Sequence, residues 1–334
     1  MKGNHLGRTD VGEVLRILAL LMPIAIISPA VATTMDVYPS RQITIIVPNP
    51  PGSATDTLAR IAAEGMAKEW GKPVIVDNKP GAQGVIGVQA MKKAAPDGYT
   101  LIVSFSGINS SNPWLIKDLP YHYLNDFTHI APMVRAASLL LVNKDSPYLT
   151  TADLIEAAKT DANRVTYGYG QATSQVMGGA FIQNAKLPKL TDIPYKGQPQ
   201  ALTDLVGKQY DFIFADLSVS MPFVESGRLR ALAISTKERS SIAPDVPALE
   251  EQGLTNFDMA AWVGISGPAG IPRDIVEKLN AQITKDFKKP EVQAKIRQLG
   301  FTPIEANVDE FKQFVQRENK IWGDAIQASG IAPR

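Results

Sequence analysis

From Gln42 onward, short runs of β-branched apolar residues alternate with stretches whose apolar residues recur at helical spacing. Ile43 to Val47, Pro73 to Val76 and Leu101 to Val103 read as strands. Leu58, Ile61, Ala62, Met66 and Trp70 mark one helix between them, and Val85, Val88 and Met91 a second. The pattern then repeats. Ser138 to Val142, Val165 to Tyr169, Asp211 to Ala215 and Leu229 to Ser235 read as strands. Thr150 to Lys159 reads as a helix opened by a Thr-Thr-Ala-Asp cap, and residues 173–185 as another. Three helices close the chain. One is opened by Pro272, one runs from Pro290 to Gly300, and one carries Phe311, Val315, Trp322 and Ile326. Strands that are apolar throughout need cover on both faces, so the pattern implies parallel sheets between helices. The expected architecture is two α/β lobes with a helical C-terminal segment.

Several function classes lack their residues. The 334-residue chain has no cysteine, so there is no disulfide framework and no thiol chemistry. A formal net charge of +1 offers no excess for nucleic acid or an acidic membrane surface. His5 lies near the N-terminus, which leaves His122 and His129 for any zinc site or Ser-His-Asp triad. No metal site and no cofactor are expected. The N-terminal residues read as an export signal, with Lys2, Arg8 and Arg16 ahead of a mostly apolar stretch from Leu15 to Ile27. Ala30-Val31-Ala32 is a small-x-small cleavage pattern, which sets residues 1–32 apart as a signal peptide; an uncleaved anchor is the alternative. Cleavage after Ala32 leaves equal numbers of basic and acidic residues in an exported, periplasmic chain.

The polar loops lie at strand ends, where open α/β sheets bind ligands. Residues 48–56 (PNPPGSATD) join the first strand to a helix N-terminus, whose first N–H groups lack helical partners. Gly52 permits close backbone approach, and Ser53 and Thr55 add hydroxyls, which makes a carboxylate or phosphate cradle. Alternatively Ser53 only caps the helix, with Asp56 as its capping-box partner. Asp56 would repel an anion sharing its cavity, so it caps, or holds the loop. This is not a P-loop, since no Gly-Lys-Ser/Thr follows. The segment from Gly81 to Gly87 is GxxGxxG, a tight turn with close helix packing rather than a dinucleotide fingerprint. Ser104 to Asn109, Gly168 to Ser174 and Asp211 to Asp216 end three further strands. Together these loops suit a small polar acid clamped between two lobes.

Six segments in order, VPNPPGSATDTLAR, GKPVIVDNKPGAQGVIG, APDGYTLIVS, LPYHYLNDF, PYKGQPQALTDLVGKQYDFIFAD and GRLRALAIST with APDVPALEEQGL, resemble the TctC (Bordetella uptake gene, Bug) receptors of tripartite tricarboxylate transporters. The resemblance runs from about residue 38 to the C-terminus. It implies an α/β fold of the type II periplasmic binding protein kind, two lobes with a ligand cleft between them. Residues 38–138 and 259–334 would form the first lobe and 139–258 the second. The ligands implied are carboxylates, held by backbone N–H groups and hydroxyls rather than by arginine. Carried over by position, the first-lobe contacts are Asn49, Ser53, Ala54, Thr55 and, as contact or structural group, Asp56. Phe105, Ser106 and Asn109 would line the next loop. Gln171, Thr173, Ser174 and, again as contact or structural group, Asp216 would face them from the second lobe. Two departures stand out: Gly52-Ser53 replaces the family's usual Gly-Gly, and Asn49 replaces a frequent aromatic. Both make the pocket more polar, and Asn49 opens it, which admits a bulkier acid such as an aromatic dicarboxylate.

The resemblance implies a monomeric receptor without catalysis, delivering its acid to membrane permease subunits. Two alternatives use the same cleft: a receptor that signals to a sensor kinase, and a secreted small-acid hydrolase or isomerase with Asp56 or Asp216 as base. Trp262 reads as core rather than ligand stack. Lys79, Arg135 and Lys196 are cations near the loops that could meet a second carboxylate.

Overall fold

The apolar runs fold into two sheets, and the chain passes between them twice. The computed structural model describes residues 1–3, 38–255 and 257–333; the expected leader and its cleavage point after Ala32 lie outside these, apart from residues 1–3. The first part of the fold runs β1 (Ile43–Val47), α1 (Ala54–Trp70), β2 (Val74–Asn78), α2 (Val85–Lys92), β3 (Thr100–Phe105), a π turn (Gly107–Ser111), α3 (Asn112–Leu115) and β4 (Phe127–Ala136). The second runs β5 (Ser138–Asn143), α4 (Thr151–Thr160), β6 (Thr166–Tyr169), α5 (Ala172–Asn184), β7 (Thr191–Pro194), α6 (Gln198–Val206), β8 (Phe212–Asp216), α7 (Leu217–Glu225) and β9 (Leu229–Ile234). The chain returns through β10 (Ala261–Pro268) and ends in α8 (Arg273–Phe287), α9 (Pro290–Gln298), β11 (Thr302–Pro303) and α10 (Val308–Ser329).

The sheet orders are β11-β4-β10-β3-β1-β2 and β7-β6-β8-β5-β9. β1 pairs in parallel with β2 and β3, and β6 with β7 and β8. The expectation of purely parallel sheets needs correction: β10 runs antiparallel to β3 and β4, and β5 antiparallel to β8 and β9. The cause is the crossing itself. Only Ala137 separates β4 from β5. The chain leaves the first lobe along β4 and re-enters it along β10, and it enters the second along β5 and leaves it along β9, so each sheet pairs an outgoing strand with an incoming one. The helices form where the sequence places them. Thr150 and Asp153 make the reciprocal cap of α4, and Pro290 opens α9.

Each lobe has its own core. Ile43, Ile45, Leu58, Met66, Leu101 and Val103 are fully buried in the first, and Phe181, Phe212, Leu140 and Val142 in the second. Helix α10, assigned by the sequence reading wholly to the first lobe, serves both. Its Phe311 and Val315 pack with Trp262, whereas Trp322, Ala325 and Ile326 join the second core beside α5. Trp262 is fully buried and donates from Nε1 to Ser110 Oγ at 3.2 Å.

The two crossings are stitched together. Ser138 N donates to Ser235 Oγ (2.9 Å), Ser235 N to Ser138 O (2.9 Å), Ser235 Oγ to Met259 O (2.6 Å) and Met259 N to Ser235 O (2.8 Å). Arg135, at the end of β4, pairs with Asp258, just before β10, at 2.7 Å. Beside this pair lies Glu318 of α10, 3% exposed, its Oε2 accepting from Trp322 Nε1 at 3.2 Å. Burial pushes its carboxyl up to about 7, with Asp258 adding to the rise and Arg135 and the Trp322 bond opposing it. The unfolded carboxyl ionises near ~4.3, so Glu318 favours the fold fully below that pH and loses this contribution as pH rises through about 7. Glu318→Gln, which keeps the acceptor, should therefore exceed wild type in stability at about pH 8 by up to ~3 kcal/mol, with the gap closing toward about pH 4. Urea unfolding across that range measures it, and a gap independent of pH would contradict it.

Candidate functional site

The first-lobe loop is built around one carboxylate turned inward. Asp56 is 3% exposed and accepts from Gly52 N (2.9 Å), Asn78 Nδ2 (2.9 Å), Arg60 Nε (3.0 Å) and Arg60 Nη2 (3.0 Å). Burial alone would raise its pKa, but these bonds outweigh it and hold the carboxyl below the usual carboxylate range. Asn78 also donates to Asn49 O at 3.1 Å, which ties the loop to the end of β2. Gly52 sits at φ 81°, a left-handed turn that suits glycine. Ser53 is the N-cap of α1: its Oγ accepts from Asp56 N at 3.3 Å and lies 3.0 Å from Thr55 Oγ1. The reciprocal bond of a capping box is displaced by one residue, since Asp56 takes the Gly52 amide. The N–H groups of Ala54 and Thr55 start the helix and have no intrahelical acceptor. Ala54 is exposed, Asn49 and Ser53 are half-buried, and Thr55 is buried. The loop therefore presents amides and hydroxyls, with its acid spent on the loop itself.

The neighbouring loop serves packing more than the sequence reading expects. Phe105 is half-buried against both first-lobe clusters. Ser106 is 5% exposed. Asn109 is fully buried, its Nδ2 donating to Tyr123 O (3.1 Å) and its own carbonyl accepting from Asn319 of α10 (2.9 Å). Its side chain anchors the π turn.

In the second lobe the C-terminal ends of β7, β6 and β8 lie side by side. Gln171 caps α5 and donates from Nε2 to Asp216 Oδ2 at 3.0 Å. Asp216 N donates to Gln198 Oε1 at 3.2 Å. Burial pushes the Asp216 carboxyl up, against the pull of Gln171, Gln198 and Ser138. Thr173 is half-buried in the first turn of α5. Ser174 is 2% exposed and donates to Phe214 O, so it pins α5 to β8. The sequence reading missed Gln198. A signal was present in Tyr195-Lys196-Gly197-Gln198-Pro199, a glycine and a helix-opening proline just after a strand. This loop packs tightly on its neighbour: a Cβ at Gly170 would lie 2.3 Å from Gln198 N.

Thus Asn49, Ser53, Thr55 and Asp56 come together in one lobe, and Gln171 and Asp216 in the other. Lys79 pairs with Asp77 at 2.9 Å, Arg135 is taken by Asp258, and Lys196 is exposed. His122 Nδ1 accepts from Leu124 N and Asn125 N (3.2 and 3.1 Å). His129 is buried beside Ser266 Oγ at 3.1 Å, and burial pushes it down to about 4. A surface hollow of about 790 Å³ lies elsewhere, between Tyr167, Gln175 and the C-terminal residues.

The family profile of the tripartite tricarboxylate transporter family receptor, TctC, matches residues 58–331, and the chain belongs to that family. It is 33% identical to protein BugT of Bordetella pertussis over 323 residues, 94% of this chain and 98% of that one. Among solved structures, an R. palustris protein with adipate is 29% identical with a TM-score of 0.71, over 89% of this chain and 100% of that one. MatC of Rhodopseudomonas palustris with bound malate is 30% identical at 0.67, over 86% and 100%. A TctC solute binding protein from Polaromonas, described as having no ligand, is 26% identical at 0.79, over 87% and 99%.

Two substitutions separate the buried bonds of Asp56 from its surface partner. Asp56→Ala strands the Gly52 amide and Asn78 and should cost about 2–4 kcal/mol. Arg60→Ala removes a half-exposed i,i+4 partner and should cost about 0.5 kcal/mol. Denaturant midpoints compare them, and equal costs would show that the ion pair, not the loop, is what matters.

Proposed function

We propose that this chain is a periplasmic solute receptor that captures a small organic acid between its two lobes, closes on it, and delivers it as a monomer to the permease subunits of a tripartite tricarboxylate transporter. The observation that carries this reading is the loop at residues 49–56. An acid-binding loop with an acidic residue in it must neutralise that residue, and here Arg60, Asn78 and the Gly52 amide do so from behind. What is left for a ligand is a helix N-terminus and one hydroxyl donor of the bonded Ser53–Thr55 pair, which favour a carboxylate without a cation. Family membership supports the same reading, as do relatives solved with adipate and malate.

The leader at residues 1–32 fits export, and among the described residues no helix is long and apolar enough to cross a membrane. A catalytic reading asks for a base, and Asp56, saturated and held acidic, is a poor one.

A thermal-shift screen of residues 33–334, refolded to remove bound ligand, tests the proposal against a panel of organic acids. An acid at about 100 times its Kd should add ~2.7 kcal/mol, a rise of a few degrees. The Ser53→Ala/Thr173→Ala double variant should lose most of that rise relative to its own ligand-free transition. If sugars or amines raise the transition and no acid does, the acid-receptor reading fails.

A further inference from the structure

The two carboxylates at the strand ends are treated in opposite ways. Asp56 receives four hydrogen bonds, two of them from one guanidinium. Asp216 receives a hydrogen bond at Oδ2 from the neutral amide of Gln171 at 3.0 Å and has no ion pair among the described residues. Gln198 and Ser138 also hydrogen-bond the carboxyl, and both are neutral, which makes three partners in all. An ionised carboxylate has about four acceptor positions, so Asp216 retains capacity for a further donor.

Its placement turns that capacity toward a ligand. Asp216 ends β8 directly opposite Ser138, the first residue after the crossing between lobes. It also joins the loops that follow β6 and β7 through Gln171 and Gln198. A ligand whose carboxylate rests on the first-lobe amides presents its far end to this edge. A second carboxylate there would face Asp216 as a like charge in a cleft that loses water on closing. A hydroxyl or ammonium group would instead supply the missing donor in a charge-assisted bond. Membership of the family does not settle the choice, since relatives are solved both with adipate, which has no hydroxyl, and with malate, which has one.

We propose that Asp216 is a specificity-determining residue that selects acids ending in a hydrogen-bond donor, a hydroxyl or an amine, over diacids of the same length. The inference rests on the acid-receptor reading above. It names the class of acid: a carboxylate at one end and a hydroxyl or amino group at the other. Gln171 and Gln198 are positioning residues in this scheme, holding the carboxylate and its backbone amide at the strand end.

The test uses matched pairs on ligand-stripped protein at about pH 7.5, by calorimetric titration: 4-aminobutyrate against succinate, 6-hydroxyhexanoate against adipate, and 4-(hydroxymethyl)benzoate against terephthalate. Within the pair whose skeleton fits, the donor-ended acid should bind roughly ten- to a hundredfold more tightly, the range of one hydrogen bond to a charged group. Asp216→Asn, close in shape and able to donate, should narrow that ratio to about threefold or less or reverse it, with a melting temperature no lower than that of wild type. Equal binding of both members by wild type overturns the inference and leaves the receptor reading in place, as does a preference that survives in Asp216→Asn. Failure of every acid to bind overturns both.

Discussion

The fold depends on how the chain crosses between its lobes. A single residue, Ala137, separates β4 from β5, and the return path through Met259 is bonded to the outgoing one through Ser138 and Ser235. This short double crossing makes both sheets mixed. It places β4 and β10 side by side in the first sheet and sets β5 in the second, against β8. The parallel strands β1, β3, β6 and β8 then end in loops near the crossing, and those loops hold the candidate site. Helix α10 adds a second tie. It packs Phe311 on one lobe and Trp322 on the other, with Glu318 buried between them beside the Arg135–Asp258 pair. Any motion of the lobes must therefore bend about a small, hydrogen-bonded set of residues and not about a loose linker.

At the candidate site, the physical problem that the proposed function poses is how to bind an anion with a loop that carries its own acid. The solution is to bury the acid against partners behind the loop. Asp56 is then a structural brace, and the same bonds that lower its pKa hold the turn that leads into the amides at Ala54 and Thr55. A pre-aimed helix N-terminus loses little conformational freedom on binding, which is where affinity for a small ligand is most easily wasted. In the second lobe the partners of Asp216 are all neutral, with no cation behind it, and in the proposed scheme that asymmetry gives the cleft a direction.

Much of this was legible in the sequence because the signals are local. The cap of α4 needs only Thr150 and Asp153, and the strand at Ile43–Val47 needs only its own apolar run. The strands β4 and β10 were not legible. Their sequences hold Pro132, Arg135, Gly264 and Gly267, and they become strands by pairing with each other across more than a hundred residues of chain. Tertiary pairing of that kind overrides local propensity. At the site, the type of residue was readable but its direction was not. Ser174 and Asn109 are polar residues in polar loops, yet both turn inward to satisfy carbonyls. Gln198 faces the site although its own stretch reads as a turn. Which way a side chain points depends on neighbours from other loops, and a single sequence does not place them.

The central claim is that an acid bound between the lobes closes them. Small-angle X-ray scattering of the ligand-stripped protein, before and after saturation with its tightest-binding acid, measures this directly. The account predicts a smaller radius of gyration on saturation, with no change when a non-binding sugar replaces the acid. Saturation by the acid with an unchanged scattering profile would contradict it.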